Sequence, residues 1–467
     1  MAKVYPKYKD SGTPWIGKVP DDWDVLPNRT LFYEIKERGH IDEQLISVTI
    51  SQGIIRQTDL ISNSSKKDSS NEDKSKYKLV VPGDIAYNKM RAWQGAVGVS
   101  QYRGIVSPAY IVVRPRRKQN AKYFHYLLRT PAFAREAERW SYGITSDQWS
   151  LRAEHFKMIY CPVPSTEEQK AIVEYLDVVN KMIRRYIREK QKVIKLLNEQ
   201  RQSIINRAVT RGIDSNAKFK SSEIDWIGDV PDHWVVKPLK FWVKINQDVL
   251  SEDTDENFEF HYLDIGSVGT GILDRTPEKL IFGNAPSRAR RILKEGDTII
   301  STVRTYLKAV YFISQKTENL IASTGFAVLT PCANVYPEFL SLVIQSNSFV
   351  EQVTANSIGV TYPAIAETKL GALNIAMPPD MSEQVRIVED IKSKTMTYDE
   401  MIAGLRNEIA FIDEYRTRLI SDAVTGKIDV RDIKLPEIKD MTDSEPIEDQ
   451  ETLEDVEDTE EVVNADE

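Results

Sequence analysis

Apolar positions recur at alternating steps of three and four in two long stretches of this chain. The first runs Ile172, Leu176, Val179, Ile183, Ile187, Ile194, Leu197, Ile204 and Ala208; the second runs Ile387, Ile391, Tyr398, Ile402, Leu405, Ile409, Ile412, Leu419 and Ala423. Most of these pairs lie 215 residues apart, with Lys, Arg and Glu between them. A seam of this kind sustained over about five heptads predicts two long helices that pack on each other as a coiled coil. At ~1.5 Å per residue, some 44 residues give a rod on the order of 65 Å. Each follows a proline-marked start, "CPVPSTEEQ" (161–169) and "AMPPDMSEQ" (376–384), in which Ser165 with Glu168, and Asp380 with Glu383, have capping-box spacing. Gly404 is the one glycine inside either stretch, and a lone glycine costs a long helix about 1 kcal/mol.

Ahead of each helix the pattern changes to short β-branched and aromatic runs, "IVVRP" in one case and "TIIST" and "FAVLTP" in the other, broken by turn residues. These segments are also duplicated. "WIGKVPDDWDV" (15–25) returns as "WIGDVPDHWVV" (226–236), "PGDIAYNKMR" (82–91) as "EGDTIISTVR" (295–304), "VSPAYIVVRP" (106–115) as "ASTGFAVLTP" (322–331), and "YGIT" (142–145) as "IGVT" (358–361). The helix ends match too, "IINRAVTRGID" (204–214) with "LISDAVTGKID" (419–429). A unit of about 210 residues is too long for a solenoid repeat. The chain therefore reads as α+β, with two pseudo-repeated domains joined by two long antiparallel coiled-coil helices. The expected boundaries are 1–164, a helix at 165–211, 212–379 with a linker at 212–225, a helix at 380–430, and a tail at 436–467.

Charge changes the picture at the tail. Residues 440–467 hold 14 Asp and Glu and no Lys or Arg, so a net charge of −8 for the whole chain leaves residues 1–439 at +6. The tail reads as a solvated, disordered segment and the body as mildly basic, which permits nucleic-acid binding without requiring it. Two distant cysteines, Cys161 and Cys332, fit neither a disulfide framework nor a zinc site. No apolar run approaches a membrane span and the first residues contain no signal core, so a cytoplasmic location without membrane association is expected.

Catalytic signatures are scarce. "GSVGTGIL" (266–273) lacks the Lys-Ser/Thr of a phosphate-binding loop, and five scattered histidines have no metal-ligand spacing. Pro20-Asp21 followed by Glu34-Ile35-Lys36 has the outline of a metal-dependent nuclease, but the second copy has Ile245, Asn246 and Gln247 at the later position, and chance is the better reading. Polar and basic turns point elsewhere. "NKMRAWQG" (88–95) and "STVRTYLK" (301–308) follow the two Gly-Asp strands and offer Asn88, Lys89 and Arg91, and Thr302, Arg304 and Lys308. Further candidates are Lys66 and Lys67; Thr145, Ser146 and Gln148; Arg288, Arg290 and Arg291; and Thr361 and Tyr362. Arg and Lys contact phosphates or guanine, and Asn, Gln, Ser and Thr read other base edges. Each also reads as solvated surface, and Arg91 and Arg304 as fold-determining ion-pair residues.

The doubled "W-I-G-x-V-P-x-x-W", the doubled "P-x-x-x-x-E-Q" (Pro164 to Gln169, Pro379 to Gln384) and the doubled "A-V-T" (208–210, 423–425) occur in one order in both copies. In this the chain resembles the specificity subunits of type I restriction-modification systems over residues 1 to about 435. The resemblance implies two target-recognition domains, each reading half of a split double-stranded DNA sequence. It implies that the helices set half-site spacing and dock two methyltransferase (M) subunits, with restriction (R) subunits joining the core. This chain would then hold no cofactor and catalyse nothing, with S-adenosylmethionine, ATP and magnesium used by the partner subunits. Two other readings stay open: a coiled-coil scaffold that does not touch DNA, and a specificity module of another methylation or defence system.

Overall fold

A computed structural model describes residues 3–62, 74–116, 119–143, 149–359 and 363–436. The chain divides into two compact units, Met1–Gln191 with Asn407–Glu467, and Lys192–Arg406. Both long helices are present, Thr166–Arg211 (46 residues) and Met381–Val424 (44 residues), and each contributes one part to each unit. The second ends six residues short of the expected 430, because Gly426 at φ 74° turns the chain and the Lys427 N–H closes back onto the Asp422 carbonyl at 2.8 Å.

In the first unit a four-stranded antiparallel sheet has the order Phe32–Ile35, Tyr110–Pro115, Ile85–Asn88, Val97–Val99. The second unit repeats this order with Val243–Ile245, Phe326–Pro331, Thr298–Ser301 and Val310–Phe312. A second sheet of the second unit, Glu278–Ile281, Glu259–Leu263, Leu320–Ser323 and Ala289–Ile292, contains a parallel central pair. Its counterpart in the first unit consists of two strand pairs, Ile46–Thr49 with Gly53–Arg56 and Lys78–Val80 with Gly104–Val106, linked by a parallel bridge between Leu45 and Ile105. A helix pair, Ala121–Leu128 with Pro131–Arg139 or Pro337–Ile344 with Asn347–Ala355, covers each core.

The duplicated motifs turn out to be joints. Trp23 and Trp234 are fully buried, each in the main core of its unit. Ser165 caps its helix by accepting from the Glu168 N–H at 3.2 Å, and Asp380 accepts from the Ser382 N–H at 3.0 Å. The two glutamates do not complete capping boxes. Glu168 instead accepts from the Tyr5 hydroxyl at 2.6 Å, while Glu383 accepts from the Trp234 indole N–H at 2.9 Å. The following glutamines are buried and start the next helix pair: Gln169 accepts from the Asn120 N–H (2.9 Å) and donates to the Pro164 carbonyl (3.0 Å), and Gln384 makes the matching bonds to Tyr336 (2.7 Å) and Pro378 (3.0 Å). Burying a primary amide with both ends bonded fixes an angle that apolar contact alone would leave soft.

Along the long helices, Ile172, Leu176, Ile183, Ile187, Ile387, Ile391, Ile402, Leu419 and Ala423 are buried, and Val179, Ile194, Leu197, Tyr398, Leu405, Ile409 and Ile412 are half-buried. At the end of the first helix the stripe shifts: Ile204 is half-buried and Ile205 fully buried, because this turn packs on Trp234 and its neighbours rather than on a second helix. Asn180 and Thr395, 215 residues apart, are buried polar residues within the stripe. In the first unit Arg416 donates to Asn180 at 3.0 Å and Lys190 pairs with Glu408 at 3.0 Å, so partners descend on one helix as they ascend on the other. The helices are antiparallel. In the second unit Arg201 bonds Asp399 at 2.7 Å.

Candidate nucleic-acid interface

The Gly-Asp strands each deliver a turn to the edge of the four-stranded sheet. Their aspartates, Asp84 and Asp297, are buried and hold that corner differently. Arg114 donates two bonds to Asp84, at 2.6 and 2.9 Å, which raises the guanidinium above its ordinary value. Asp297 has Thr330 at 2.6 Å and the Lys294 N–H at 2.8 Å, and burial raises its carboxyl above the ordinary aspartate value.

In the first unit, Asn88 is buried and its side chain accepts from the Met90 N–H at 3.0 Å, so it shapes the turn from within. Ala92–Gln94 form a single 3-10 turn closed by Gly95 at φ 95°. Lys89 accepts from the Leu151 N–H at 2.8 Å, and Trp93 packs edge-on against Trp149 at 5.5 Å. The chain segments on either side of 144–148 are thus tied to this turn, since Tyr142 also pairs with Ser150. Beneath it lies Lys78, buried and donating to the carbonyls of Tyr110 (2.6 Å) and Pro108 (3.1 Å). Burial, and the nearby charges of Arg38, Lys89 and Lys36, pull its ammonium below the ordinary lysine value. Arg91 lies close enough to Tyr110 to act on its hydroxyl, which burial pushes up to about 12. Lys36, Arg38 and Lys89 thus gather around Lys78 with Glu34 among them, and Arg91 joins them at Tyr110, whose carbonyl Lys78 holds, which leaves the region basic.

The adjacent loop is held by a second device. Arg129 donates to the carbonyls of Ile50 (2.7 Å), Ser51 (2.7 Å) and Val97 (2.9 Å). Burial and the Arg129 charge bring His125 down to about 3, and its neutral Nδ1 accepts from the Val99 N–H at 3.3 Å.

In the second unit Thr302 donates through its N–H and hydroxyl to the Gly325 carbonyl, at 2.8 and 2.9 Å. Arg304 and Lys308, both at φ 51°, bracket the 3-10 turn Thr305–Leu307. The Thr305 and Ser357 hydroxyls bond at 2.9 Å, Val303 pairs with Ala364, and the Ile365 N–H reaches Thr302 at 2.8 Å. The same end holds Arg288, whose carbonyl accepts from the Thr324 N–H (2.7 Å) and whose guanidinium is 3.5 Å from Asp264. Arg290 lies over Phe282 at 4.6 Å and Arg291 is half-buried, so both take part in packing.

The structure thus joins, in each unit, the turn after the Gly-Asp strand to the loop that follows the helix pair. Arg288, Thr302, Arg304 and Lys308 come together, as do Lys89 and Arg91. Lys66, Lys67, Thr145, Ser146, Gln148, Thr361 and Tyr362 lie outside the described residues. Arg38 and Lys78 were not among the sequence candidates, and Lys36 entered only through the nuclease pattern; the one signal for Lys78 is a lysine inside the strand-like run "YKLVV" (77–81). Glu34, the centre of the nuclease pattern, is engaged by Lys157 (3.4 Å) and Lys36 (3.6 Å). Among the described residues no group of three or more His, Cys, Asp or Glu is placed to hold a metal ion. No helix among them is long and apolar enough to cross a membrane.

The family described as type I restriction modification DNA specificity domain matches this chain twice, at residues 29–196 and 232–410. The matches cover more than half of the chain, and the protein belongs to this family: it is a specificity subunit with two DNA-recognition domains. It is 24% identical over 441 residues to a putative type I restriction enzyme MjaX specificity subunit of Methanocaldococcus jannaschii, spanning 89% of this chain and 96% of the relative. The MjaVIII specificity subunit of the same organism is also 24% identical, over 89% of this chain and 95% of the relative. A solved chain from work on complex assembly and conformational transition of the type I R-M system has the same fold, with a TM-score of 0.56 at 15% identity over 88% of this chain and 99% of that one.

Proposed function

We propose that this subunit reads a bipartite double-stranded DNA target, one half with each unit, for a type I restriction-modification complex, and that it catalyses no reaction itself. The observation that carries this reading is the pairing, in each family-matched unit, of a basic turn with the loop after the helix pair. Phosphate contacts from Lys36, Arg38, Lys89 and Arg91 in one unit and from Arg288, Arg304 and Lys308 in the other would set register, and neighbouring loop residues would read base edges. The long helices dock two methyltransferase subunits and restriction subunits join that core. In support, the helices expose large apolar side chains, among them Tyr186, Leu196, Met401 and Phe411. Tyr186 and Met401, and Leu196 and Phe411, are pairs related by the 215-residue offset.

Chemistry falls to the partners. Methyltransferase subunits use S-adenosylmethionine to methylate an adenine flipped from each half-site, and restriction subunits use ATP and magnesium. The complex works in the cytoplasm, where its DNA is. The test is genome-wide mapping of methylated adenine in cells carrying this chain with its methyltransferase, against cells lacking the chain. A split motif that disappears with the subunit supports the reading, and unchanged methylation contradicts it. Deleting four residues, one helical turn, from a long helix is then expected to change half-site spacing or abolish methylation.

A further inference from the structure

Tyr306 and Leu307 stand at the tip of the turn in the second unit, 52% and 46% exposed. Large apolar side chains in such a turn ordinarily fold back onto the protein, and the matching Trp93 of the first unit does so against Trp149. Two features hold the tip outward. Thr305 is buried and tied to Ser357, which fixes the root of the turn. Arg304 and Lys308 adopt left-handed backbone at φ 51°, a conformation rare in residues with a side chain and tolerated where surrounding structure enforces it. Thr302 and Ile365 supply that enforcement from one side, and Thr270 does so from the other by donating to the Lys308 carbonyl at 2.8 Å. Ile358, 73% exposed, follows directly after Ser357 and adds a third apolar group next to the root.

We propose that Tyr306 and Leu307 form a wedge that inserts between stacked base pairs of the DNA half-site read by the second unit. The proposal rests on the DNA-reading role given above. The order of chemistry along the turn is cation, buried anchor, two apolar groups, cation, with Arg304 and Lys308 both exposed. That order matches what a duplex offers when a step is opened from one side, with apolar base faces between charged phosphates. An apolar protein groove would match the two central residues and leave both cations facing an uncharged rim. Partial unstacking is easiest at pyrimidine–purine steps, so the wedge gives the second unit a preference at positions where no base edge is read. Trp93, packed on its own protein, leaves the first unit without this device.

The experiment uses the subunit assembled with its methyltransferase and a duplex carrying the mapped motif, with 2-aminopurine placed at successive positions of both half-sites. Apart from the adenine flipped in each half-site, the native protein is expected to raise fluorescence at one further step, in one half-site only. The variant Tyr306→Ala/Leu307→Ala is expected to abolish that rise and weaken binding by about tenfold or more, the scale of losing a base–aromatic stack. Arg304→Ala/Lys308→Ala is expected to weaken binding and flatten its salt dependence. If the cation variant weakens binding while the native protein brightens no position besides the flipped adenines, the wedge is wrong and the reading site stands. If neither variant alters binding or motif, the site assignment fails as well. Loss of methyltransferase capture by the apolar variant, with DNA binding intact, overturns the wedge in favour of a protein contact.

Discussion

At the joint of the first unit, a Cβ placed on Gly426 would stand 2.3 Å from Pro20 Cδ and 3.2 Å from the Trp23 ring; at the corresponding joint of the second, a Cβ on Gly212 would stand 3.5 Å from Trp234 and 3.7 Å from Pro231. The two joints are built from the same motifs but differ in how their halves are connected. In the second unit the helix end and "WIGDVPDHW" are joined by a short stretch of chain. In the first unit the helix end and "WIGKVPDDW" come from opposite ends of the sequence, with the whole second domain between them. Only non-covalent contact closes that joint. The extra contacts are specific: Tyr123 donates to the Val424 carbonyl at 2.9 Å, the Asp429 N–H donates to the Lys3 carbonyl at 2.8 Å, and Arg431 lies over the Tyr5 ring at 4.8 Å. A joint without a short tether has more closure entropy to offset, and the tighter packing is consistent with that need.

Truncating either tryptophan should have the largest effect. Trp23→Ala and Trp234→Ala are each expected to cost about 3–5 kcal/mol, measured by urea unfolding with probes in both units, because each empties a core. The glycines should separate the joints. Gly426→Ala is expected to cost about 2–4 kcal/mol, combining left-handed strain with collision against Pro20. Gly212→Ala should cost about 1 kcal/mol, from the backbone at φ 67° alone. Equal losses would mean that the close approach at Gly426 is not maintained in solution.

A subtler pair is Trp→Phe. The Trp23 indole N–H is buried without a hydrogen-bond partner, whereas that of Trp234 donates to Glu383. Trp234→Phe should therefore cost about 1–2 kcal/mol more than Trp23→Phe, by the same unfolding measurement.

The smallest effect is a pH dependence at the Gly-Asp corner. Burial raises the carboxyl of Asp297 in the folded state. Between the unfolded and folded values the native unit binds more protons, so this residue's contribution to stability falls as pH rises through the range just above the ordinary aspartate value. Asp297→Asn should remove that slope, and unfolding midpoints measured across the window would reveal it.

Much of this was legible in the sequence, for a physical reason. Helix periodicity and caps are local properties, so both long helices were identifiable to within a residue at their starts, and duplication revealed the two-unit plan. The end of the seam was misread at Ile204 because a helix does not announce which neighbour it packs on. Gln169 and Gln384 stood in a conspicuous motif, yet their bonds to Asn120 and Tyr336 cross about fifty residues and have no local signature. The basic region around Lys78 is assembled from three separate segments, 36–38, 78 and 89–91. Tyr306 and Leu307 stand in the turn "STVRTYLK" with nothing in the sequence to single them out, and only the left-handed residues on either side, invisible in the sequence, turn them outward.

The central claim is that each unit reads its own half of the target. Its most direct test is to map methylated adenine in cells whose subunit carries either Lys89→Ala/Arg91→Ala or Arg304→Ala/Lys308→Ala. The account predicts that each variant relaxes or loses one half of the split motif, that the two affect opposite halves, and that the unaffected half keeps its sequence. Relaxation of both halves by one variant, or an unchanged motif in both, would contradict it.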